Sequence, residues 1–292
     1  MELCSSTLEK CVASEIHKQE FQKCMNDLLK QIALGIEFLH HRAKIVHRDI
    51  KPSNILVVFP SQSTNNKYIL KLADFGISKK LDIGENDVTV ERRGSNGWKA
   101  PEIGSNLAES ETEYTNAVDV FAGGCVFYFT FTLGNHPFGS RSAAAVDYKA
   151  CQSNIDNDQQ PDLELIGFQP TLRHLVAWMI SHSPQERPTF RRVLSHPFFW
   201  TAKETLDFIC DLSKELEYKG KPTPEQAHII QRLESSKDII FDDDWKQRLS
   251  AVVLKYLEET RKYNGKSVHN LLRAIRNKVF NYTIFLKKIV IF

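Results

Sequence analysis

No stretch constrains the fold of this chain more tightly than residues 45–76. It reads Ile-Val-His-Arg-Asp-Ile-Lys-Pro-Ser-Asn-Ile-Leu-Val, passes through a polar interruption, and resumes as Leu-Lys-Leu-Ala-Asp-Phe-Gly. A short apolar segment ends in a polar loop at residues 47–54, and the apolar runs Ile55–Val58 and 68–72 predict a hairpin closing on a second acidic turn at Asp74. Transfer of a phosphoryl group needs one carboxylate near the attacking hydroxyl, and a carboxylate plus an amide to hold a metal on the phosphates. Asp49, Asp74 and Asn54 supply that set. Alone, His-Arg-Asp would read as a polar surface turn; its pairing with Asp-Phe-Gly argues against chance.

The two motifs at this spacing resemble the catalytic loop and metal-binding turn of protein kinases. The resemblance implies that Asp49 orients the substrate hydroxyl, that Asp74 and Asn54 hold Mg2+ on ATP, and that Lys51 steadies the transferred group. Lys-x-x-Asn after the catalytic aspartate marks serine/threonine specificity, with a protein substrate or the chain itself as phosphate acceptor. Other kinase features follow in order. Apolar residues at helical spacing over residues 14–41 predict a long amphipathic helix leading into the loop. Ser78 and Thr89 are hydroxyls whose phosphates Arg48 would pair with. Glu102, in Ala-Pro-Glu, is expected to form a buried ion pair with Arg187, and Asp119 to hold the catalytic-loop backbone from the start of an apolar helix over 118–133. Upstream of residue 14 there is no Gly-x-Gly-x-x-Gly and no strand lysine, so the resemblance implies hinge and large lobe alone, with the small lobe absent and ATP binding weak. An incomplete sequence and a natural lobe-less form both fit that opening.

Composition adds boundaries. The 292 residues are 42% hydrophobic and 25% charged, enough for one large or two modest domains, and the net charge of +2 demands neither nucleic acid nor an anionic membrane. Six cysteines without a Cys-x-x-Cys pair read as reduced thiols of a cytosolic protein. The start lacks a signal peptide, and the longest apolar runs fall short of a membrane span.

Past residue 200 the pattern stays helical, over 201–218, 224–233, 243–263 and 267–281, so the fold class expected is mainly α. The run from Arg261 to Lys278 sets basic and amide groups beside an exposed-looking Tyr263, a combination suited to phosphate and nucleotide contacts. It is similar to the all-α ribonuclease module fused behind the kinase of Ire-type proteins, the unfolded-protein-response sensors, a module that ribonuclease L shares. Phe198-Phe199-Trp200 and the tryptophan of Asp244-Trp245-Lys246 fit this pairing, and intact His-Arg-Asp and Asp-Phe-Gly favour the Ire type.

The resemblance implies a kinase domain at 1–200 and a nuclease module at 201–292 with an atypical end. It implies back-to-back homodimers, metal-independent RNA cleavage, and a parent in the endoplasmic reticulum membrane whose cytosolic part this is. Tyr263, Arg276 and Asn277 match the family's catalytic tyrosine, arginine and asparagine, but Asn281 stands where the family has its catalytic histidine. His269 lies about three helical turns earlier and cannot replace it. The closing Thr-Ile-Phe-Leu-Lys-Lys-Ile-Val-Ile-Phe is apolar and β-favouring, unlike the family. Impaired activity in both halves is therefore expected. A pseudoenzyme or dimerising scaffold, a ribonuclease-L-like protein and an ordinary kinase with an unrelated helical tail stand as alternatives.

Overall fold

The computed structural model describes residues 4–61, 64, 67–80, 87–89, 94–103, 112–140, 145–167, 169–241, 243–258 and 261–289. The chain divides into two compact units, Met1–Phe199 and Trp200–Phe292. Helix dominates both, as the apolar spacing predicts.

In the first unit a short strand β1 (Ser6–Thr7) and helix α1 (Leu8–Ala13), capped by the Thr7 hydroxyl, precede helix α2 (Glu15–Phe38). Along α2, Phe21, Met25, Leu28, Ile32 and Ile36 recur at three- and four-residue steps and form one buried stripe. After α2 a wider turn, Leu39–Ala43, ends at Lys44 in the left-handed region (φ 56°) and delivers the chain to β2 (Ile45–Val46). The predicted hairpin is present as β3 (Ile55–Val58) and β4 (Ile69–Leu72), with Ile55 opposite Leu72 and Val58 opposite Ile69. β1 adds to the other edge of β3, so the sheet order is β1-β3-β4, all antiparallel. β2 pairs with β5 (Lys79–Lys80), and β6 (Asp87–Thr89) with β7 (Thr112–Tyr114).

Helix α3 (Asn116–Phe131) is apolar on all sides and is buried along nearly its whole length, as such a composition predicts. A Cβ at Gly123 would lie 2.7 Å from the Phe190 ring, and one at Gly124 2.6 Å from Ile180. Glycine at those two positions lets neighbouring segments close on α3. Those segments are α5 (Pro170–Met179) with the Ile180 that caps it, and α6 (Phe190–Leu194); α4 (Tyr148–Asp156) lies between α3 and α5 in sequence.

The second unit opens with α7 (Ala202–Glu215) and α8 (Pro224–Ser235). Both start on reciprocal capping boxes, Thr201 with Glu204 and Thr223 with Gln226. A short α9 (Lys237–Ile240), α10 (Ala251–Glu258) and α11 (Val268–Ile289) complete it. Phe241, Trp245, Leu257, Tyr263, Val268 and Ala274 form its buried core.

Three expectations are corrected here. Residues 243–263 are not one helix: a 3₁₀ turn at Trp245–Arg248 is separated from α10 by extended backbone at Leu249. The Asp244 carboxylate caps that turn at the Lys246 amide, and Trp245 is pinned by bonds to Gly265 and Ser267, so local polar bonds win over helical continuation. Tyr263 is not exposed; it is 5% accessible within that core. The β-favouring closing run is helical as far as it is described: backbone helix continues through Ile289. Among the described residues no helix is long and apolar enough to cross a membrane.

Candidate functional site

The first candidate site lies in the loop after β2. Asp119, in the first turn of α3, accepts the backbone amides of His47 at 2.8 Å and Arg48 at 2.9 Å. It also binds His40 Nε2 at 2.8 Å. A buried carboxylate with these three partners fixes the loop and supports Arg48 at φ 67°, a conformation unfavourable for a β-carbon. The role expected of Asp119 is therefore observed directly.

From that support Asp49 is presented among four donors. Its Oδ2 takes Lys51 Nζ at 2.7 Å and Asn54 Nδ2 at 2.9 Å, and its Oδ1 takes the Ser95 amide at 3.1 Å. The fourth donor is the Asn54 amide acting a second time, on the Asp49 carbonyl at 2.9 Å. Lys51 Nζ also donates to Ser95 Oγ at 2.6 Å. Burial pushes the Asp49 carboxyl up, but the bonds from Lys51, Ser95 and Asn54 outweigh it and hold it below its ordinary value. Asp49 is therefore ionised at neutral pH. Ser95 was legible only as part of a motif; no sequence signal gave it this bridging place.

The Asp74 turn is tied to the same loop. The Ala73 amide donates to Asn54 O at 2.9 Å, His47 Nε2 binds Ala73 O at 3.0 Å, and the His47 ring lies 4.9 Å from Phe75. Asp74 itself stands at φ 63° with an exposed carboxylate. Both Nδ2 hydrogens of Asn54 are spent on Asp49, which leaves its amide oxygen to face a cation. Two oxygen donors without a cage suit magnesium, which takes one or two protein ligands and completes its shell from phosphates and water. The residues present therefore fit Mg2+ held by Asn54 and Asp74, and no cluster of three or more His, Cys, Asp or Glu that could hold a metal exists among the described residues. Arg48 Nε donates to Ile77 O at 2.6 Å, and Ser78 donates to Phe75 O at 2.8 Å. The Thr89 side chain lies outside the described residues.

The predicted ion pair is bidentate: Arg187 Nη1 and Nη2 meet the two Glu102 oxygens at 2.7 and 2.8 Å.

The second candidate site is a row of bonds on and around α11. Asn277 Nδ2 donates to Tyr263 Oη at 2.7 Å, and Asn277 Oδ1 accepts from Arg276 Nε at 3.3 Å and Nη2 at 3.2 Å. Tyr263, Arg276 and Asn277 are thus brought together across a turn whose tightness depends on Gly265, where a Cβ would fall 1.8 Å from Asp244 Oδ1. Glu234 of α8 caps α11, accepting Ser267 Oγ and the amides of Val268 and His269. Arg276 Nη1 reaches Ser213 O at 3.1 Å and Glu217 Oε2 at 2.6 Å, and Arg273 Nη2 reaches Glu217 Oε1 at 3.0 Å. These two arginines hold the Glu217 carboxyl down to about 2. Nothing in the sequence marks Glu217 or Glu234. The Asn281 side chain lies outside the described residues, and His269 belongs to the start of α11, not to the row.

An ionised carboxylate beside a lysine, tied to the acidic Asp74 turn, is the arrangement expected of a protein-kinase fold, and a helical module of a second kind follows it in the sequence. The protein kinase domain family matches residues 1–199, and the ribonuclease 2-5A family matches residues 205–288. The sensor for unfolded proteins in the ER ire1 of Schizosaccharomyces pombe is 34% identical over an alignment of 305 positions, covering 97% of this chain and 28% of that protein. Human serine/threonine-protein kinase/endoribonuclease IRE2 is 34% identical over 288, covering 97% and 29%, and Arabidopsis thaliana IRE1b is 35% identical over 259, covering 87% and 27%. The chain belongs to the Ire-type serine/threonine-protein kinase/endoribonucleases. It spans less than a third of the length of these curated relatives.

Proposed function

We propose that residues 1–200 carry the large-lobe part of a serine/threonine kinase site and residues 201–292 a metal-independent endoribonuclease module. Together they form the cytosolic part of an unfolded-protein-response sensor anchored in the endoplasmic reticulum membrane and active as a homodimer. In the kinase half Asp49 acts by position. Its carboxylate is ionised but weakly basic, so it orients a hydroxyl of a protein substrate, or of the chain itself, and takes the proton late. Lys51, fixed between Asp49 and Ser95, would steady the transferred phosphoryl group of ATP. Asn54 and Asp74 would hold magnesium, which neutralises phosphate charge when bound.

In the nuclease half the observation that carries the reading is the hydrogen-bonded row Tyr263–Asn277–Arg276. It collects an O–H able to exchange a proton and a guanidinium and amide able to hold a phosphodiester. RNA cleavage by its own 2′-hydroxyl needs a base for that proton and an acid for the departing 5′-oxygen. Tyr263 supplies one of these. Asn281, an amide, supplies no titrating group for the other, so cleavage is slowed by about 10² to 10⁴. A second reading, an RNA-binding scaffold without turnover, is favoured by that same residue.

The test is a stem-loop RNA cleavage assay in EDTA on the dimerised chain, with detection of a 2′,3′-cyclic phosphate end. Asn281→His is expected to raise the rate by about two orders of magnitude or more, and Tyr263→Phe to abolish the gain. A wild-type rate that Asn281→His leaves unchanged and Tyr263→Phe does not lower refutes the nuclease assignment.

A further inference from the structure

The row on α11 ends on a group that its chemistry does not require. Glu217 follows α7 by two residues and bridges both arginines. Of the five N–H donors of a guanidinium, Arg276 has four committed: Nε and one Nη2 hydrogen to Asn277, and the two on Nη1 to Ser213 O and Glu217. In that state Arg276 has too few donors left for a bidentate grip on phosphate. Arg273 differs: its Nε–H is buried without a partner, and Glu217 reaches only its Nη2.

We propose that Glu217 is a built-in phosphate mimic, occupying in the free protein the anion seat of Arg273 and Arg276, and that an RNA phosphate enters by displacing it. This rests on the reading of the row as an RNA-phosphate site. Two features support displacement over a purely structural pair. The Glu217 side chain is 40% exposed, whereas those of Arg273 and Arg276 are 18% and 13% exposed. The carboxylate therefore sits at the mouth and can swing into water, while Ser213 and Asn277 keep Arg276 in place from behind. The seat is also underfilled. A carboxylate leaves the Arg273 Nε–H unmatched, whereas a phosphate offers more oxygens to two converging guanidiniums. With its carboxyl held near 2, Glu217 is charged at all physiological pH, so release follows competition by an anion and not protonation.

The experiment titrates the full chain, wild type and Glu217→Gln, with inorganic phosphate and separately with a stem-loop RNA, following Arg273 and Arg276 side-chain NMR signals and fluorescence anisotropy. Half-exposed ion pairs are modest, so Glu217→Gln is expected to tighten phosphate binding by about three- to tenfold. RNA binding should tighten similarly, with the slope of log affinity against log salt steeper by about 0.7 for each arginine released. Tighter phosphate with unchanged RNA affinity upholds the anion seat and removes its RNA role. Phosphate binding that is unchanged or weaker overturns the proposal and makes Glu217 a support for the arginines. Glu217→Asp, which keeps the charge but shortens the reach, guards against misfolding; it should fall between the other two, and a value equal to wild type in a folded chain counts against displacement.

Discussion

Removing the Glu102 carboxylate isolates the energetics of a fully enclosed cation. Every Arg187 donor is used: Nε to Ser181 O at 2.7 Å, Nη1 to Glu102 and to Ala117 O at 3.0 Å, and Nη2 to Glu102 and to His182 O at 2.8 Å. The guanidinium also lies 5.0 Å from the Phe121 ring centroid. The Arg187 side chain is 0% exposed and that of Glu102 19%. Glu102→Ala leaves two N–H groups and one charge unmatched in the interior. Breaking a buried pair from one side costs about 3–5 kcal/mol, and the partial access at Glu102 places the loss near the lower end. Glu102→Gln, which keeps one acceptor oxygen, is expected to cost less, about 1.5–3 kcal/mol. Arg187→Met also strips bonds from three carbonyls, so it should be the most damaging single change. The double variant should nevertheless be more stable than the sum of the singles by about 2 kcal/mol, because no charge remains stranded. Urea titration followed by hydrogen exchange on peptides covering 101–131 and 170–194 reads the first unit separately from the second. A Glu102→Ala loss below about 1 kcal/mol, or strict additivity in the cycle, would refute the argument.

Asp119→Ala strands the amides of His47 and Arg48, each worth about 1–3 kcal/mol when unsatisfied; amide exchange at those two residues should accelerate while the α3 core stays protected. Burial of His136 lowers its pKa from 6.5 to about 4, against the opposing pull of the Gly97 backbone. The unfolded chain then binds the extra proton, so this contribution is full above pH 6.5 and is lost as pH falls toward 4, by about 3 kcal/mol in total; His136→Gln should flatten that part of a stability–pH curve. Gly265→Ala drives a Cβ into Asp244, and a loss of about 1–3 kcal/mol in the second unit is expected. Adding Asp244→Ala should recover part of it in a thermal melt, and no recovery would place the strain elsewhere.

What the sequence made legible divides along a physical line. Helix α2, the β3–β4 hairpin and the apolar α3 all follow from local periodicity, because their side chains are sorted by burial at fixed steps. Asp119 and the Glu102–Arg187 pair were legible for a different reason: the motifs that hold them resemble those of protein kinases, and the resemblance implied both the loop-holding carboxylate and the buried pair. The misreadings fall where polar bonds between distant segments decide. Residues 243–263 have helical spacing, yet Asp244 and Gly265, twenty-one positions apart, lock Trp245 and interrupt the helix. Tyr263 sits between basic and amide residues, so its surroundings in sequence suggest water, while its ring completes a core supplied by Phe241, Trp245 and Val268.

Glu217 shows the limit most sharply. Its neighbours in the chain are Leu216 and Tyr218, neither of which hints at an arginine; its partners are fifty-six and fifty-nine positions away on α11. A periodic pattern reports which face of a segment is buried, but not which polar group of one segment is aimed at another. The loop after β2 escapes this limit because Asp49, Lys51 and Asn54 are close enough in sequence for spacing to carry geometry. The α11 row does not, since its tyrosine, its arginines and the carboxylate between them come from separate segments. That difference explains why one candidate site could be read almost whole while the other needed coordinates to reveal the anion already seated in it.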